Sequence, residues 1–347
     1  MRASCSLQRA GQPDPRNRKL DNSAGTLATT GALSLAAGEL HNVGGRVQTA
    51  DDSALRLAID GLLDNSADGH IATAGKLAIQ AQTLDNRAGR IEHAGEAGLS
   101  IAVETLKGAG GTLASNSDLT LSGEHIDLSE GNTSAQRIQV DAGDLINAGG
   151  RVIASGLDAL QLRIRNLLDN TAGLLAGNGD MTLTAQRLVN ESGAIEHAGE
   201  GLLSIAVQRL DGAGGSLVGN GALEISGEHI DLTNATTHAE RIQVQAGELI
   251  TAGGRLIATG IETLHLQVSN LLNNAGGTLA GNGALDLSAG ALDNRGGTLQ
   301  AAGEQASRIQ VAGSLDNQAG VLATRGDTAL QAGELLNTAG ALQTEAP

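Results

Sequence analysis

At 347 residues, 40% of them hydrophobic, the chain is long enough for two globular domains or one long repeat array, and it can bury a core. That core is aliphatic: Phe, Tyr and Trp are absent, Met occurs twice, and Gly occurs 50 times. A net charge of −16 without aromatic stacking platforms argues against nucleic acid, and the single Cys5 excludes an intramolecular disulfide framework.

Residues 1–19 carry Arg2, Arg9, Arg16, Arg18 and Lys19 against Asp14, a net of +4 that leaves −20 for the remainder. This basic stretch follows no repeat and is expected to be disordered. It has no apolar central region and does not read as a signal peptide. No later stretch approaches 18 consecutive apolar residues, so no transmembrane helix is expected. A membrane β-barrel would need aromatic girdles that the chain cannot supply.

From Leu20 the sequence becomes periodic. The motif L-[DN]-N-x-[AG]-G-x-[LIV] is plain in Leu20-Asp21-Asn22-Ser23-Ala24-Gly25-Thr26-Leu27. Its anchors are Leu20, Leu40, Leu63, Leu84, Leu106, Ile126, Leu145, Leu168, Leu188, Leu210, Ile230, Leu249, Leu272, Leu292, Leu315 and Leu335, spaced 19 to 23 residues apart. They define fifteen complete coils and one partial coil over residues 20–347. The second half of each coil alternates strictly, as in Leu33-Ser34-Leu35-Ala36 and Leu55-Arg56-Leu57-Ala58-Ile59, which is the period of a strand with one face inward. A unit of about 20 residues is too short for a helix pair. Short strands of three to five residues joined by Gly and Asn turns therefore predict an all-β chain, a single right-handed parallel β-helix of about fifteen coils. At about 4.8 Å per coil it would run on the order of 70 Å.

Five residues after the anchor, 14 of 16 coils carry Gly, among them Gly25, Gly45, Gly89, Gly111, Gly150, Gly173, Gly193, Gly215, Gly254, Gly277, Gly297, Gly320 and Gly340. A glycine at fixed phase predicts a turn with positive φ or a close backbone approach. Two residues after the anchor, 11 of 16 coils carry Asn: Asn22, Asn42, Asn65, Asn86, Asn147, Asn170, Asn190, Asn274, Asn294, Asn317 and Asn337. The choice is between a ligand stripe and a stacked amide ladder, and the ladder is what identical stacked strands favour.

A longer period lies above the coil. Residues 84–187 and 188–291 are two five-coil blocks of 104 residues, with Ile91-Glu92-His93-Ala94-Gly95-Glu96 matching Ile195-Glu196-His197-Ala198-Gly199-Glu200 in phase. Likewise Ser122-Gly123-Glu124-His125-Ile126 matches Ser226-Gly227-Glu228-His229-Ile230. Copying a block whole lengthens a scaffold, whereas a catalytic cleft does not survive it.

Candidate chemistry is sparse. Glu124 and His125 are adjacent in a strand and point to opposite faces, so they cannot share an ion, and His93, His197, His125 and His229 are read as solvated surface residues. Gly177-Asn178-Gly179-Asp180 lacks the nine-residue period of calcium-binding repeats. No nucleophile elbow or paired-carboxylate motif occurs, and the even coil lengths leave no long loops to wall a cleft. No catalytic, metal or cofactor site is expected, and no enzymatic activity.

The pattern L-D-N-x-A-G-x-L-A-x-x-G-x-L-x-L-x-A, as in residues 20–37, 168–185 and 272–289, resembles the adhesin repeat of filamentous haemagglutinins and of the exoproteins of contact-dependent growth inhibition. The resemblance covers residues 20–347 and implies a secreted or surface-displayed stalk, exported by two-partner secretion through an outer-membrane transporter barrel and directed at host or neighbouring bacterial cells. It implies a spacer for adhesive or toxin modules, or alternatively a protein- or glycan-binding surface of its own. A polysaccharide-active β-helix enzyme is the remote alternative. The secretion domain and the terminal module of that family have no counterpart in the sequence, so it reads as a segment of a larger protein, and no toxin activity is carried over to any residue.

Overall fold

The computed structural model describes residues 5–6 and 18–345. The expected disorder of the basic tail falls largely on residues 1–4 and 7–17, outside the described residues. All regular structure among the described residues is β. The chain divides into two compact units, Met1–Asp169 with Gly173–Asn178, and Asn170–Ala172 with Gly179–Pro347.

In each unit a strand pairs in parallel with its counterpart one coil further on, and equivalent side chains stack. In the first unit Leu20, Leu40, Leu63, Leu84, Leu106, Ile126, Leu145 and Leu168 lie in one register. On the opposite wall Leu27, Val47, Ile71, Ile91, Leu113, Thr133, Val152 and Leu175 form the facing column. The second unit repeats the arrangement, with Leu188, Leu210, Ile230, Leu249, Leu272, Leu292, Leu315 and Leu335 as its anchor column. Most of these residues are completely buried, each contributing about 1.5–3 kcal/mol as an aliphatic side chain removed from water. One side-chain shape is layered on itself, and aromatics are not needed to fill irregular volume.

Two expectations are corrected. The strand that follows the turn, such as Thr26–Thr29 or Arg46–Thr49, occurs eight times in each unit, giving about sixteen turns in place of fifteen and a partial one. The last turn has both of its strands, Thr328–Leu336 and Ala341–Thr344. In most coils the alternating segment and the anchor also merge into one bent strand of nine or ten residues, as in Leu99–Lys107 and Asp118–Asp127, whereas the coils of Leu40, Leu63 and Leu168 keep two short strands. Inward side chains fall on Leu119 and Leu121 before the bend and on Ile126 after it, a change of parity that breaks the period-two pattern. The hydrogen-bond ladder continues because each coil bends at the same place. Coil-length differences are partly absorbed there as irregularities, for example between Ala246 and Leu249 and between Val268 and Leu271.

The phased glycine resolves into two separate requirements. Positive φ belongs to the residue before it: Ala24 (51°), Gly44 (58°), Ala88 (51°), Gly110 (66°), Ser192 (53°), Gly276 (65°) and Ala319 (54°). The glycine itself serves close approach. A Cβ at Gly45, Gly89, Gly193, Gly297 or Gly320 would land on the carbonyl oxygen of Asn22, Asn65, Asn170, Asn274 or Asn294, one coil earlier. Ala235 is the informative exception. Its counterpart in the first block, Gly131, has looser surroundings, with its nearest backbone oxygen, that of Gly111, 2.9 Å from a built Cβ. In the coil of Leu63 an inserted residue puts both Ala67 and Asp68 at positive φ and moves the glycine to Gly69.

Neighbouring small residues in one turn should therefore respond oppositely. Gly89→Ala should lower the unfolding midpoint, with a cost of about 1–3 kcal/mol or more for overpacking against Asn65. Ala88→Gly should be neutral or stabilising by up to about 1 kcal/mol, since it relieves a left-handed alanine. Paired thermal melts followed by circular dichroism would check this, and equal losses in both variants would contradict it.

Candidate functional site

The conserved geometry of the array is concentrated in the turn that follows each anchor. The Asp one residue after the anchor caps this turn: Asp21 Oδ1 accepts the Ser23 N–H at 2.9 Å. Asp64, Asp127, Asp231, Asp293 and Asp316 accept in the same way from Ser66, Ser129, Thr233, Arg295 and Gln318. The hydrogen bonds from Ser23 hold the Asp21 carboxyl below its usual range, and the Arg295 guanidinium does the same for Asp293.

The Asn one residue later points inward. Asn22 Nδ2 donates to Asn42 Oδ1 at 2.6 Å, Asn42 to Asn65 at 2.7 Å and Asn65 to Asn86 at 2.8 Å. In the second unit Asn170 donates to Asn190 at 2.7 Å, and Asn274, Asn294, Asn317 and Asn337 continue in series at 2.6–2.8 Å. Each amide also donates to backbone carbonyls, as Asn65 does to Gly69 at 3.0 Å and Arg90 at 3.1 Å. Asn147 bonds to the carbonyls of Gly150 and Leu174. The amide accepts from one coil and donates to the next, a double role that a carboxylate cannot fill.

Sequence reading missed two features of this column. Thr251 holds the same phase and donates from Oγ1 to Asn274 Oδ1 at 3.0 Å, a substitution that its position after Leu249 and Ile250 could have revealed. In the coils of Ile126 and Ile230 the amide is replaced by buried Leu128 and Leu232, at 3% and 2% exposure. The preceding coils hold Gly108 and Gly212 at this phase, where a Cβ would press on those leucine side chains. A Gly–Leu pair thus occupies the volume of two ladder amides, once in each block.

The histidines divide differently from expectation. His125, with 63% of its side chain exposed, and half-buried His229 lie outward, paired with Asp144 at 3.0 Å and Glu248 at 2.8 Å. His93 and His197 are interior, each 2% exposed, and the solvated-surface reading is wrong for both. Their positions end the strands Arg90–His93 and Ala194–His197, whose burial alternates so that Ile91 and His93, or Ile195 and His197, face inward together. His93 has Thr73 and Ser115 beside it in register, with Ser115 Oγ 3.0 Å from Nδ1, and His197 has Gly219. Small residues in the adjoining coil make room for each ring. Burial pushes both imidazoles below the ordinary histidine range, opposed for His197 by the Asp180 carboxylate.

Among the described residues no group of three or more His, Cys, Asp or Glu is placed to hold a metal ion, and no helix is long and apolar enough to cross a membrane. An open groove of about 670 Å³ runs along the strand bends of the second unit, lined by Ala206, Gln208, Gly227, Glu228, Gln245 and Gln267, among others. Its walls are small side chains and amides, with one carboxylate.

The family model described as Haemagglutinin repeat matches residues 7–67, 50–103, 94–159, 153–208, 237–261, 263–306 and 305–346. Among curated proteins the chain is 33% identical over 159 residues to a Toxin CdiA of Yersinia pestis, covering 42% of this chain and 5% of the relative. It is 31% identical over 186 residues to a Toxin CdiA of Escherichia coli, covering 51% and 6%. It is also 30% identical over 184 residues to a tRNA nuclease CdiA of Escherichia coli O6:K15:H31, covering 51% and 5%. The chain thus spans only about a twentieth of the length of these relatives. No solved structure matches.

Two measurements bear on the interior polar groups. Asn65→Ala should cost about 1–3 kcal/mol by leaving buried amide and carbonyl partners unsatisfied. Asn65→Asp, nearly isosteric, should cost more at neutral pH, because it sets a buried carboxylate against Asn86 Oδ1. Denaturant titration of the two variants gives the order directly. For His93 and His197 the folded form holds the neutral ring, so the unfolded chain binds more protons at mildly acid pH. Stability should be full above the ordinary histidine value of about 6.5 and fall as pH drops below it, levelling off only beneath the depressed folded value. The variant His93→Thr/His197→Thr should show a smaller loss of melting temperature between neutral and mildly acid pH.

Proposed function

The chain belongs to the haemagglutinin-repeat family, and from that premise we propose that it is a stalk segment of a secreted or surface-displayed exoprotein, spacing adhesive or toxin modules from the cell that bears them. The observation that carries this reading is the parallel stacking of coil on coil within each unit, with the anchor residues in one column. Chemistry-bearing side chains at the repeated phases are consumed in holding one coil to the next, as Asn42 and Asn65 are. Block duplication fits the same role, since five added coils at about 4.8 Å each extend a stack by roughly 24 Å. Export through an outer-membrane transporter barrel and contact with a host or neighbouring bacterial surface belong to the proposal. No catalysis is assigned to the segment.

A second reading, in which the segment binds a partner on its own surface, is favoured by the open groove beside Gln208, Gln245 and Gln267. Both readings meet one experiment. The chain is fixed to a support at one end and carries a fluorescent tag at the other, and residues 188–291 are deleted in register. Spacer function predicts that tag height falls by roughly 24 Å while attachment of the displayed surface to target cells is unchanged. Loss of attachment on deletion would replace the spacer with the binder.

A further inference from the structure

The two blocks are copies, so any position where they differ in charge is one that the coil geometry leaves free. One such difference is concerted. At the start of the first block Thr105 and His125 lie side by side in successive coils with Thr83, the residue just before the block; Lys107 is two residues beyond Thr105, with Asp85 beside it. The positions 104 residues further on are Arg187, Arg209 and His229, with Asp211 two residues beyond Arg209 and Val189 beside Asp211. Four changes have turned two threonines beside a Lys107–Asp85 pair into two adjacent arginines beside an acid, Asp211, whose own neighbour is Val189.

Their geometry is specific. Arg187 and Arg209 are direct register partners, at an inter-strand spacing of about 4.8 Å where like charges repel. Asp211, buried at 6% exposure, holds both: Arg187 Nε donates to Oδ2 at 2.7 Å and Arg209 Nε donates to Oδ1 at 2.7 Å. Each guanidinium is engaged through its inner nitrogen, and among the described residues its terminal nitrogens make no hydrogen bond. About half of each arginine side chain is exposed, 53% and 49%. Asp211 takes up only the inner nitrogens, so two outward forks of N–H donors remain. Glu248 is paired with His229, and Asp231, beside Asp211 in register, accepts from Thr233 while keeping its charge.

We propose that Arg187 and Arg209, positioned by Asp211, form an oxyanion-binding site for a phosphate or sulfate group. Planar guanidinium forks match the paired oxygens of such groups, and pre-alignment by a buried carboxylate lowers the ordering cost of binding. This site is independent of the spacer reading.

The first block supplies the control. Isothermal titration of the full chain with inorganic phosphate and with sulfate should show one site, weakened at least about tenfold in Arg187→Thr/Arg209→Thr/Asp211→Lys, which installs the first block's own residues on an unchanged backbone. The converse variant Thr83→Arg/Asp85→Val/Thr105→Arg/Lys107→Asp should raise the stoichiometry from one to two. Neutral phospholipid vesicles with and without phosphatidic acid tell a lipid headgroup from the free ion as the source. Absence of binding in all these arms, equal affinity in the triple variant, or unchanged stoichiometry in the converse variant would overturn the site.

Discussion

Each coil must come within hydrogen-bonding distance of the one before it at every corner, and the turn after the anchor is where this is hardest to satisfy. There the backbone reverses through a left-handed residue and lies directly over the carbonyl of the preceding turn. At Gly89 no side chain fits between the two. Once that contact is made, Asn65 and Asn86 are brought to 2.8 Å, Leu63 stacks under Leu84, and the strands on both sides are in register. The motif L-D-N-x-A-G is therefore a set of separate instructions: bury, cap, bond to the next coil, turn left-handed, approach.

The same constraint explains where variation is tolerated. Length changes appear at the strand bends and in corner loops, where Leu157 and Ile261 protrude at equivalent points of the two blocks, exposed at 91% and 78%. Composition changes inside the turn come in matched pairs. Leu128 needs Gly108, and Leu232 needs Gly212, because an aliphatic side chain takes the space of two amides. Interior histidines likewise occur beside Ser115 or Gly219. Outward positions need no such volume matching, and there residues 104 apart have diverged in charge, as Thr105 and Arg209 show.

This division between coupled interior and free exterior suits a protein whose interior serves only to stack. The ladder amides bond to one another and leave little to offer a ligand. Whatever distinguishes one coil from another functionally has to be written on the outside, in residues such as Arg187, Arg209 and the amides of the open groove.

The sequence by itself determined the coil, its period, its inward columns and the phase of the amide ladder, because a repeated unit displays each structural requirement up to sixteen times and chance matches average out. It also excluded aromatic-dependent partners by composition. Tertiary structure alone decided which residue of the turn is left-handed, since an Ala at positive φ has no sequence signal when a Gly stands beside it. It decided that His93 and His197 face inward, because the parity of a four-residue strand depends on where the turn releases the chain. The pairing of Arg187 and Arg209 through Asp211 was also beyond the sequence: residues 22 and 24 apart meet only when coils are laid in register, and the one-to-one alignment of successive strands is a property of the stack.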